Sequence, residues 1–504
     1  MLSPDDRLFF IHIPKTAGTT LIPLIDMHFH EREICPAQLW RELVRLPQQE
    51  IPKYRLFRGH FGGDGLSTFL PSPPVYMTML RQPVPLALST YKFIRREPGT
   101  RVHKLVHDEQ MDLAAFLDHQ ETRGKISNKQ TRHLSFCLEH DPDTGPIFLH
   151  EESLAVVDGW VKRHRTRVAP DERLDRAKEK LRSCAFFGLV ERFEESMALL
   201  CYTFGWPPVG SVQKLMVAPE DRTGTAAALD DSIRQRLIEL NQLDVELYEF
   251  AQRLFDERLS AMKKELEPSA PMEGPPASGS PLHDLLDRHY LAMREQCGEK
   301  AKASIRIDLD EPLFGDGWHR REPSSLDGTT FRWTGPGTLS SMDVNVCANE
   351  DFRITIRLIN ALLQDIYDSF QLRVNGEGIP LKLIDGRAGV RVLQGTVSRQ
   401  ALGRGPRGFT RLEFAVDRTI SPREIDSANP DTRQVGVALN WIDLAPAGAL
   451  AAGEVPRVEV KPEQRQALRE RRRTAIMTRL KQRVASIPVV GPRLRTAYIR
   501  FKSR

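Results

Sequence analysis

Apolar residues in the first half of the chain form short continuous runs, each followed by a stripe at helical spacing. The runs at 9–13 and 75–80 are typical of strands buried on both faces of a parallel sheet. After the second run, Leu86, Tyr91 and Ile94 lie on one face of a helix. Strands that alternate with helices in this way predict an α/β domain with a central parallel sheet and helices on both faces.

From residue 303 the pattern changes to short stretches in which apolar and polar residues alternate. Apolar residues occupy every second position in 352–358, 370–374 and 412–416. The pair Asn375-Gly376 follows the second stretch and is a strong signal for a tight hairpin turn. Several short strands separated by turn residues predict an all-β sandwich or jelly roll.

A Pro-, Gly-, Ser- and Ala-rich segment at 267–281 separates the two patterns and is typical of an extended linker. A length of 504 residues fits two or three domains. We therefore predict four segments: an α/β domain at 1–266, a linker with a short helix at 267–302, a β-sandwich at 303–447, and a basic, partly helical tail at 448–504.

Positive charge is concentrated at the C-terminal end of the chain. The net charge is +5, but residues 461–504 hold fourteen Lys or Arg and two Glu, so this stretch carries +12 and the remainder −7. A basic amphipathic tail is typical of proteins that bind an anionic membrane surface. Attraction to a polyanion and a merely solvated helix remain alternatives. No nucleic-acid-binding module accompanies the tail, so we predict no specific nucleic-acid partner.

The six cysteines are scattered, without the spacing of zinc ligands, and we expect reduced thiols, no metal and no disulfide framework. No apolar run approaches 18 residues, and the first residues form no signal stretch. We therefore expect a cytoplasmic protein, with the tail allowing peripheral contact with the inner face of the membrane.

The first apolar run leads into a turn that has the composition of an anion site. Lys15, Gly18 and three threonines lie between the predicted strand and helix, where free N–H groups and the helix dipole favour a phosphate. The turn is not a Walker A loop, because Lys15 precedes Gly18 instead of following the last glycine. A plain strand-to-helix turn is the alternative.

The second apolar run ends at a cation instead of a carboxylate. Arg81 ends the strand and Ser89 lies near the second turn of the following helix. P-loop kinases place a carboxylate at such a strand end to hold Mg²⁺. A second cation fits a second phosphate, as in a 3′,5′-bisphosphonucleotide.

A candidate general base lies between these two segments. The stretch 55–58 reads as a strand that enters a glycine-rich loop, which places His60 at a strand end, where open α/β sheets bind ligands. A neutral imidazole can take a proton from a hydroxyl near neutral pH. The alternative is that His60 only packs or caps, and His12 is interpreted as an ordinary strand residue.

These segments resemble those of sulfotransferases that use 3′-phosphoadenosine 5′-phosphosulfate (PAPS). Residues 14–20 (Pro-Lys-Thr-Ala-Gly-Thr-Thr) resemble the P-loop-like 5′-phosphosulfate loop, in a form most similar to heparan sulfate 2-O-sulfotransferases and their bacterial relatives. Arg81 and Ser89 match the 3′-phosphate segment, and the resemblance covers roughly residues 5 to 262. Gln82 stands where the family has Asp, and Arg58 where the related enzymes have a second histidine.

The resemblance implies a role for each matching residue. His60 would be the catalytic base, and Lys15 would stabilise the charge on the leaving phosphate. The acceptor cleft would include Arg132, from a segment similar to the family's Asn-x-Gln-Thr-Arg, and Arg58; a solvated helix face is the alternative for Arg132. The residues expected to bind PAPS are Lys15, Thr16, Ala17, Gly18, Thr19, Thr20, Arg81 and Ser89.

The predicted function is transfer of a sulfuryl group from PAPS, without a metal, to a hydroxyl of a carbohydrate in a polysaccharide, lipid-linked oligosaccharide or glycolipid. A protein tyrosine or a small molecule remains an alternative acceptor. Trp318 and Trp333 could stack on sugar rings, although core positions are the favoured interpretation. A small-molecule or sugar kinase, and a non-catalytic glycan-binding scaffold with a degenerate transferase domain, are the alternative functions.

Overall fold

The computed structural model of the chain describes residues 2–66, 69–137, 169–209, 229–267, 281–296, 300–386, 389–403 and 409–449. Residues 450–504 of the tail predicted at 448–504, and residues 268–280 of the linker predicted at 267–302, lie outside the described residues. Within these ranges, no helix combines the length and the apolar composition that crossing a membrane requires.

The first half of the chain forms a four-stranded parallel sheet with the order β2-β1-β3-β4. All four residues of β1 are completely buried, as expected for a central parallel strand. The predicted parallel sheet with associated helices is therefore confirmed. The strands are β1 (Leu8–Ile11), β2 (Leu56–Gly59), β3 (Val75–Leu80) and β4 (Phe186–Leu189).

Helices connect these strands and complete the N-terminal part. The helices are α1 (Gly18–Asp26), α2 (Trp40–Leu43), α3 (Pro83–Arg96), α4 (His103–Asp108), α5 (Leu113–Asp118), α6 (Gln120–Ile126), α7 (Lys129–Leu134), α8 (Pro170–Ser183), α9 (Phe193–Phe204), α10 (Asp231–Glu239) and α11 (Gln242–Leu266).

The parallel arrangement of β1, β2 and β3 brings three loops to one edge of the sheet. The carboxyl ends of these strands lead into the 12–17 loop, into His60 and into Arg81 respectively. Parallel strands place such loops side by side, so three segments that are distant in sequence meet at this edge.

The second half of the chain is built from antiparallel sheets, as its alternating pattern predicts. One sheet has the order β11-β10-β14-β8; the other has the order β12-β13-β9-β15-β7-β6, with β5 also paired to β15. The strands are β5 (Ile305–Asp308), β6 (Trp318–Pro323), β7 (Thr330–Thr334), β8 (Leu339–Val344), β9 (Phe352–Ala361), β10 (Gln371–Val374), β11 (Glu377–Ile379), β12 (Lys382–Asp385), β13 (Arg391–Val397), β14 (Thr410–Ala415) and β15 (Val437–Pro446).

The predicted hairpin is present between β10 and β11. Val374 pairs with Glu377, and the two residues between them, Asn375 and Gly376, have φ values of 48° and 85°. Two successive positive φ angles are the signature of a type I′ turn, which Asn-Gly pairs favour.

Both antiparallel sheets contribute side chains to one hydrophobic core, exemplified by Ile356 and Leu412. Trp318 and Trp333 are buried, with 9% and 6% of their surfaces exposed, which confirms that they are core residues. The predicted helix between the two halves is α12 (Pro281–Gln296), whose His289 ring stacks on Tyr202 of α9. The helices of the β-rich half are the shorter α13 (Gln364–Ser369), α14 (Arg399–Leu402) and α15 (Pro422–Ile425).

The β-rich half packs against the C-terminal end of α1. Arg321 on β6 donates hydrogen bonds to the backbone carbonyls of Asp26 (2.9 Å) and Phe29. Backbone bonds from Leu313 to the Met27 carbonyl (2.8 Å) and from Glu31 to the Asp310 carbonyl (2.8 Å) join the same surfaces. The helix whose first turn follows the candidate phosphate loop is therefore held by the β-rich half at its other end.

Candidate active site

The loop between β1 and α1 has an unusual backbone conformation. Lys15 and Ala17 have positive φ angles of 76° and 61°, which are uncommon for residues with a side chain. The Thr16 hydroxyl donates to the Ile13 carbonyl at 2.8 Å and so braces the turn from within. The helix begins at Gly18, and N–H groups in the first turn of a helix have no intrahelical acceptor. A turn with such free N–H groups is suited to an anion.

Gly18 is required at the start of α1 because the His12 ring lies directly against it. A Cβ atom at this position would lie 1.9 Å from Nε2 of His12. The His12 ring also packs on the His60 ring, with 4.5 Å between the ring centroids. His12 therefore fills the space between the loop and the candidate base, in agreement with its interpretation as a structural strand residue.

A hydrogen bond determines the tautomer of His60. Its Nδ1 lies 2.6 Å from the backbone carbonyl oxygen of His12. Because a carbonyl only accepts, Nδ1 carries the proton and Nε2 of the neutral ring keeps its lone pair. Burial lowers the pKa of His60 below its usual 6.5, although the bond to His12 acts in the opposite direction. His60 is therefore a neutral imidazole at pH 7.

A cavity of about 600 Å³ lies at this edge of the sheet and brings together three of the predicted residues: Lys15, His60 and Arg132. Five basic side chains and two imidazoles line it, and none of the described lining residues is a carboxylate. The ammonium group of Lys15 lies 4.6 Å from the centre of the Phe93 ring. The cavity suits a ligand with several negative charges.

Arg81 lies beside the loop, outside the lining of this cavity. Its Nη1 donates to the Lys15 carbonyl at 3.3 Å, and its buried Nε reaches no acceptor among the described residues. The side-chain amide of Gln130 holds the backbone N–H and C=O of Arg81, both at 2.8 Å. Ser89 lies half-buried in α3 and also outside the lining. A rigidly held guanidinium with an unused donor is suited to a further anionic group.

Two other predicted residues have partners within the protein. Arg132 donates to the Gly124 carbonyl at 2.7 Å while lining the cavity. Arg58 does not line it; its Nε forms an ion pair with Asp26 at 2.6 Å. The structure thus places Arg132 in the expected cleft and Arg58 at the end of α1.

The sequence did not single out Lys129 and His133, which also line the cavity. Burial and nearby cations lower the pKa of Lys129 to about 7. Burial lowers the pKa of His133 to about 3, and its Nδ1 lies 2.8 Å from the Lys129 carbonyl. Both residues lie close to the predicted Arg132 in sequence. Without knowledge of their burial, they cannot be told apart from residues on a solvent-exposed helix face.

Among the described residues, one group of side chains offers possible metal ligands within 4.8 Å of one another: His30, Asp310 and Glu311. The group lies where the β-rich half meets the segment after α1, since the Glu31 N–H bonds the Asp310 carbonyl there. None of the three lines the cavity. The candidate active site is therefore separate from this group.

About half of the chain is similar in sequence to heparan-sulfate 6-O-sulfotransferases. Heparan-sulfate 6-O-sulfotransferase 2 of Gallus gallus is 24% identical over 289 residues, which cover 52% of this chain and 69% of the relative. The Danio rerio protein of the same name is 27% identical over 296 residues, covering 52% and 60%. Heparan-sulfate 6-O-sulfotransferase 1 of Homo sapiens is 37% identical over 94 residues, 19% of this chain and 22% of that protein.

No protein-family profile matches the chain. Its distant homologues are nevertheless sulfotransferases, in agreement with the kind of enzyme that the loop at 14–20 resembles. These relatives carry the 6-O name, so the resemblance to the 2-O branch stays a prediction.

Proposed function

We propose that this protein transfers a sulfuryl group from PAPS to a hydroxyl of a carbohydrate. The observation that carries the proposal is that Lys15, from the anion-binding turn, and His60, with a free Nε2, line one cationic cavity. The names of the distant relatives support a carbohydrate acceptor, which we place in a polysaccharide, lipid-linked oligosaccharide or glycolipid.

The two phosphate-containing groups of the donor fit two neighbouring sets of residues. N–H groups at the start of α1, together with Thr19 and Thr20, would hold the 5′-phosphosulfate. Arg81 and Ser89 would hold the 3′-phosphate, and the unused Nε of Arg81 is a donor suited to it. Each phosphate of the donor would thus meet its own cation, Lys15 or Arg81.

His60 takes the proton from the acceptor hydroxyl through Nε2 while the hydroxyl oxygen bonds to sulfur. The bond between sulfur and the bridging phosphate oxygen breaks, and Lys15 stabilises the negative charge that remains on that oxygen. The products are a sulfate ester, adenosine 3′,5′-bisphosphate and a proton on His60, so the step is balanced without a further reactant. The cation Arg132, on the cavity wall, would contact an anionic part of the acceptor.

The remaining parts of the chain have proposed roles in reaching the acceptor. We assign the α/β half at 1–266 to catalysis and the β-rich half at 303–447 to support of that domain. The basic segment 461–504 would bind the anionic inner face of the membrane, which would place the enzyme near lipid-linked or glycolipid acceptors.

Calorimetry with three nucleotides tests the proposal: adenosine 3′,5′-bisphosphate, 5′-AMP, and ATP with Mg²⁺. We expect the bisphosphate to bind most tightly and without metal. Preference for ATP with Mg²⁺ would indicate a kinase, although the described cavity lining offers no carboxylate for the metal. If no nucleotide binds, the protein is a scaffold. Transfer of labelled sulfate from PAPS to glycans, with Lys15→Ala as the control, then identifies the acceptor.

A further inference from the structure

Lys129 connects the two sides of the candidate donor site. Its Nζ donates to the Pro14 carbonyl at 3.0 Å and to the Thr90 hydroxyl at 3.1 Å. Pro14 immediately precedes Lys15, and Thr90 immediately follows Ser89. The side chain of Lys129 therefore connects the loop that we expect to bind the 5′-phosphosulfate with the helix that we expect to contact the 3′-phosphate.

The helix that carries Lys129 is anchored by groups in the protein interior. The buried carboxylate of Asp244 accepts from the backbone N–H groups of Gln130 (3.0 Å) and Thr131 (2.7 Å) and from the Thr131 hydroxyl (2.6 Å). Gln130 in turn holds the backbone of Arg81. Because the start of α7 is fixed in this way, Lys129 positions the loop and α3 against a rigid support.

Lys129 makes its two bonds in either protonation state. A neutral amine has two N–H groups, which is enough for Pro14 and Thr90, and the ammonium form has a third. Its side chain is almost completely buried and borders the cavity. The third N–H would thus be available to an anion that occupies the cavity.

The charges around Lys129 decide which state is present. The charged or titratable groups that face it are Lys15 on the loop, Arg132 and His133 on α7, His12 and His60 on the sheet edge, and Asp244 on α11. Burial, Arg132 and Lys15 disfavour its positive charge, and only Asp244 favours it. Since the pKa is about 7, the free amine predominates at pH 8 and the ammonium at pH 6. A bound polyanion would reverse this balance and favour the ammonium.

We propose that Lys129 is a positioning residue that holds the loop before Lys15 against α3, and that it takes up a proton when an anionic nucleotide binds. The inference rests on the proposed nucleotide site but adds a residue and a proton that the proposed reaction does not use. Donor binding would thereby add the positive charge of Lys129 to those of Lys15 and Arg81.

Calorimetric binding of adenosine 3′,5′-bisphosphate in buffers of different ionisation enthalpy tests this inference. At pH 8 the phosphates are already fully ionised, so they contribute no proton change. We expect the wild-type protein to take up close to one proton at pH 8 and much less at pH 6. Lys129→Met should abolish the uptake and weaken binding about tenfold or more. Lys53→Met, at an exposed lysine paired with Glu50, is the matched control and should behave as wild type.

The outcomes separate this inference from the proposed function. If wild-type protein binds no nucleotide, the proposed function and the inference fail together. If Lys129→Met binds as tightly as wild type with the same proton uptake, only the inference is overturned. Lys129→Arg should keep a permanent charge, and so bind more tightly than Lys129→Met without taking up a proton; equal affinities of the two variants would contradict the role of charge.

A further variant keeps the inference testable if changes at Lys129 prevent folding. Thr90→Val removes one acceptor of the lysine while the lysine itself stays. We expect it to fold, to bind the bisphosphate about threefold to tenfold more weakly, and to keep the proton uptake at pH 8. Unchanged affinity in Thr90→Val would show that the hydrogen bond from Lys129 to Thr90 on α3 does not help to position the nucleotide-binding residues.

Discussion

The Nδ1 atom of His60 lies 2.6 Å from the carbonyl oxygen of His12, so the backbone directly after β1 orients the candidate base directly after β2. The strand that supplies the carbonyl is the same one that leads into the loop with Lys15. The base and the anion-binding turn are therefore connected through one rigid element, and their relative position does not depend on a flexible side chain.

The burial of His60 predicts the pH dependence of the reaction. His60 must be neutral to accept a proton, and burial lowers its pKa below 6.5. At saturating donor, kcat/KM for the acceptor should therefore fall as the pH decreases and His60 takes up a proton, with a midpoint higher than the pKa of His60 in the empty site because the bound donor is negatively charged. His60→Ala should lose about 10²- to 10⁴-fold in kcat while still binding the bisphosphate.

Two comparisons make this prediction specific. His107→Ala, at an exposed imidazole, should leave both rate and midpoint unchanged. His133→Gln tests the other imidazole of the cavity. If His133→Gln abolishes turnover and His60→Ala does not, the base is His133 and the assignment of His60 is wrong.

Gly18→Ala should destabilise the fold and disturb the base at the same time. The added methyl group would overlap the His12 ring, which is held between the loop and the His60 ring. We expect a loss of about 1–3 kcal/mol in the free energy of unfolding, measured by chemical denaturation, and a lower kcat. Gly124→Ala is the control, since nothing lies near its new Cβ and alanine favours the helix. Equal stabilities of the two variants would contradict the close packing at Gly18.

Arg81→Ala should remove the preference for a 3′-phosphate. The guanidinium donates to the Lys15 carbonyl, and the side chain of Gln130 holds the backbone of residue 81. The substitution should therefore remove the guanidinium without moving the surrounding backbone. We expect bisphosphate binding to weaken about 10- to 100-fold, and 5′-AMP binding to change little, in parallel calorimetric titrations. Gln82→Ala, at the exposed neighbour, should bind as wild type. Unaltered bisphosphate affinity in Arg81→Ala would place the 3′-phosphate elsewhere.

Much of the architecture was predictable because local patterns and tertiary burial agree. The continuous apolar run in β1 reflects burial on both faces of a parallel sheet, and the Asn375-Gly376 pair meets a local requirement for positive φ. The position of Lys15 and His60 at one edge of the sheet was also predictable, since both follow strands whose carboxyl ends share that edge.

The remaining site residues depend on contacts between distant segments. Lys129 contacts Pro14 across 115 residues, and a lysine inside a helical segment has no local feature that distinguishes burial from exposure. Arg58 was predicted to line the acceptor cleft because of its position near the end of a strand. In the structure its side chain instead forms an ion pair with Asp26 at the end of α1. Resemblance identified the segment around Arg132, and only the fold showed which of its members line the cavity.

The basic tail is expected to bind anionic membranes independently of the active site. Its charge of +12 within 44 residues should attract vesicles that contain anionic lipid. Deletion after Val460 should reduce co-sedimentation with such vesicles, more so at low salt, while bisphosphate binding is retained. If the deletion leaves co-sedimentation unchanged, the tail does not bind the membrane. If the deletion abolishes binding to a polyanionic glycan, the glycan is the partner of the tail.

Arg321 provides a test of whether the two halves of the molecule unfold together. Its guanidinium, half-buried between the β-rich half and the end of α1, donates to the Asp26 carbonyl at 2.9 Å and the Glu311 carbonyl at 2.9 Å. Arg321→Met leaves these carbonyls without their donor, and leaving a buried acceptor unpaired costs about 1–3 kcal/mol. Calorimetric unfolding should show one transition in the wild type and two in Arg321→Met.

The adjacent Arg320 is exposed, so Arg320→Met is a control that changes the same residue type on the same strand. It should retain the single transition. Because the contact of Arg321 is with the end of α1, Arg321→Met should also weaken bisphosphate binding at the other end of that helix, whereas Arg320→Met should not. If Arg321→Met unfolds in one transition at the wild-type temperature, the two halves are not coupled through this arginine, and the α1 contact serves only to hold them near each other.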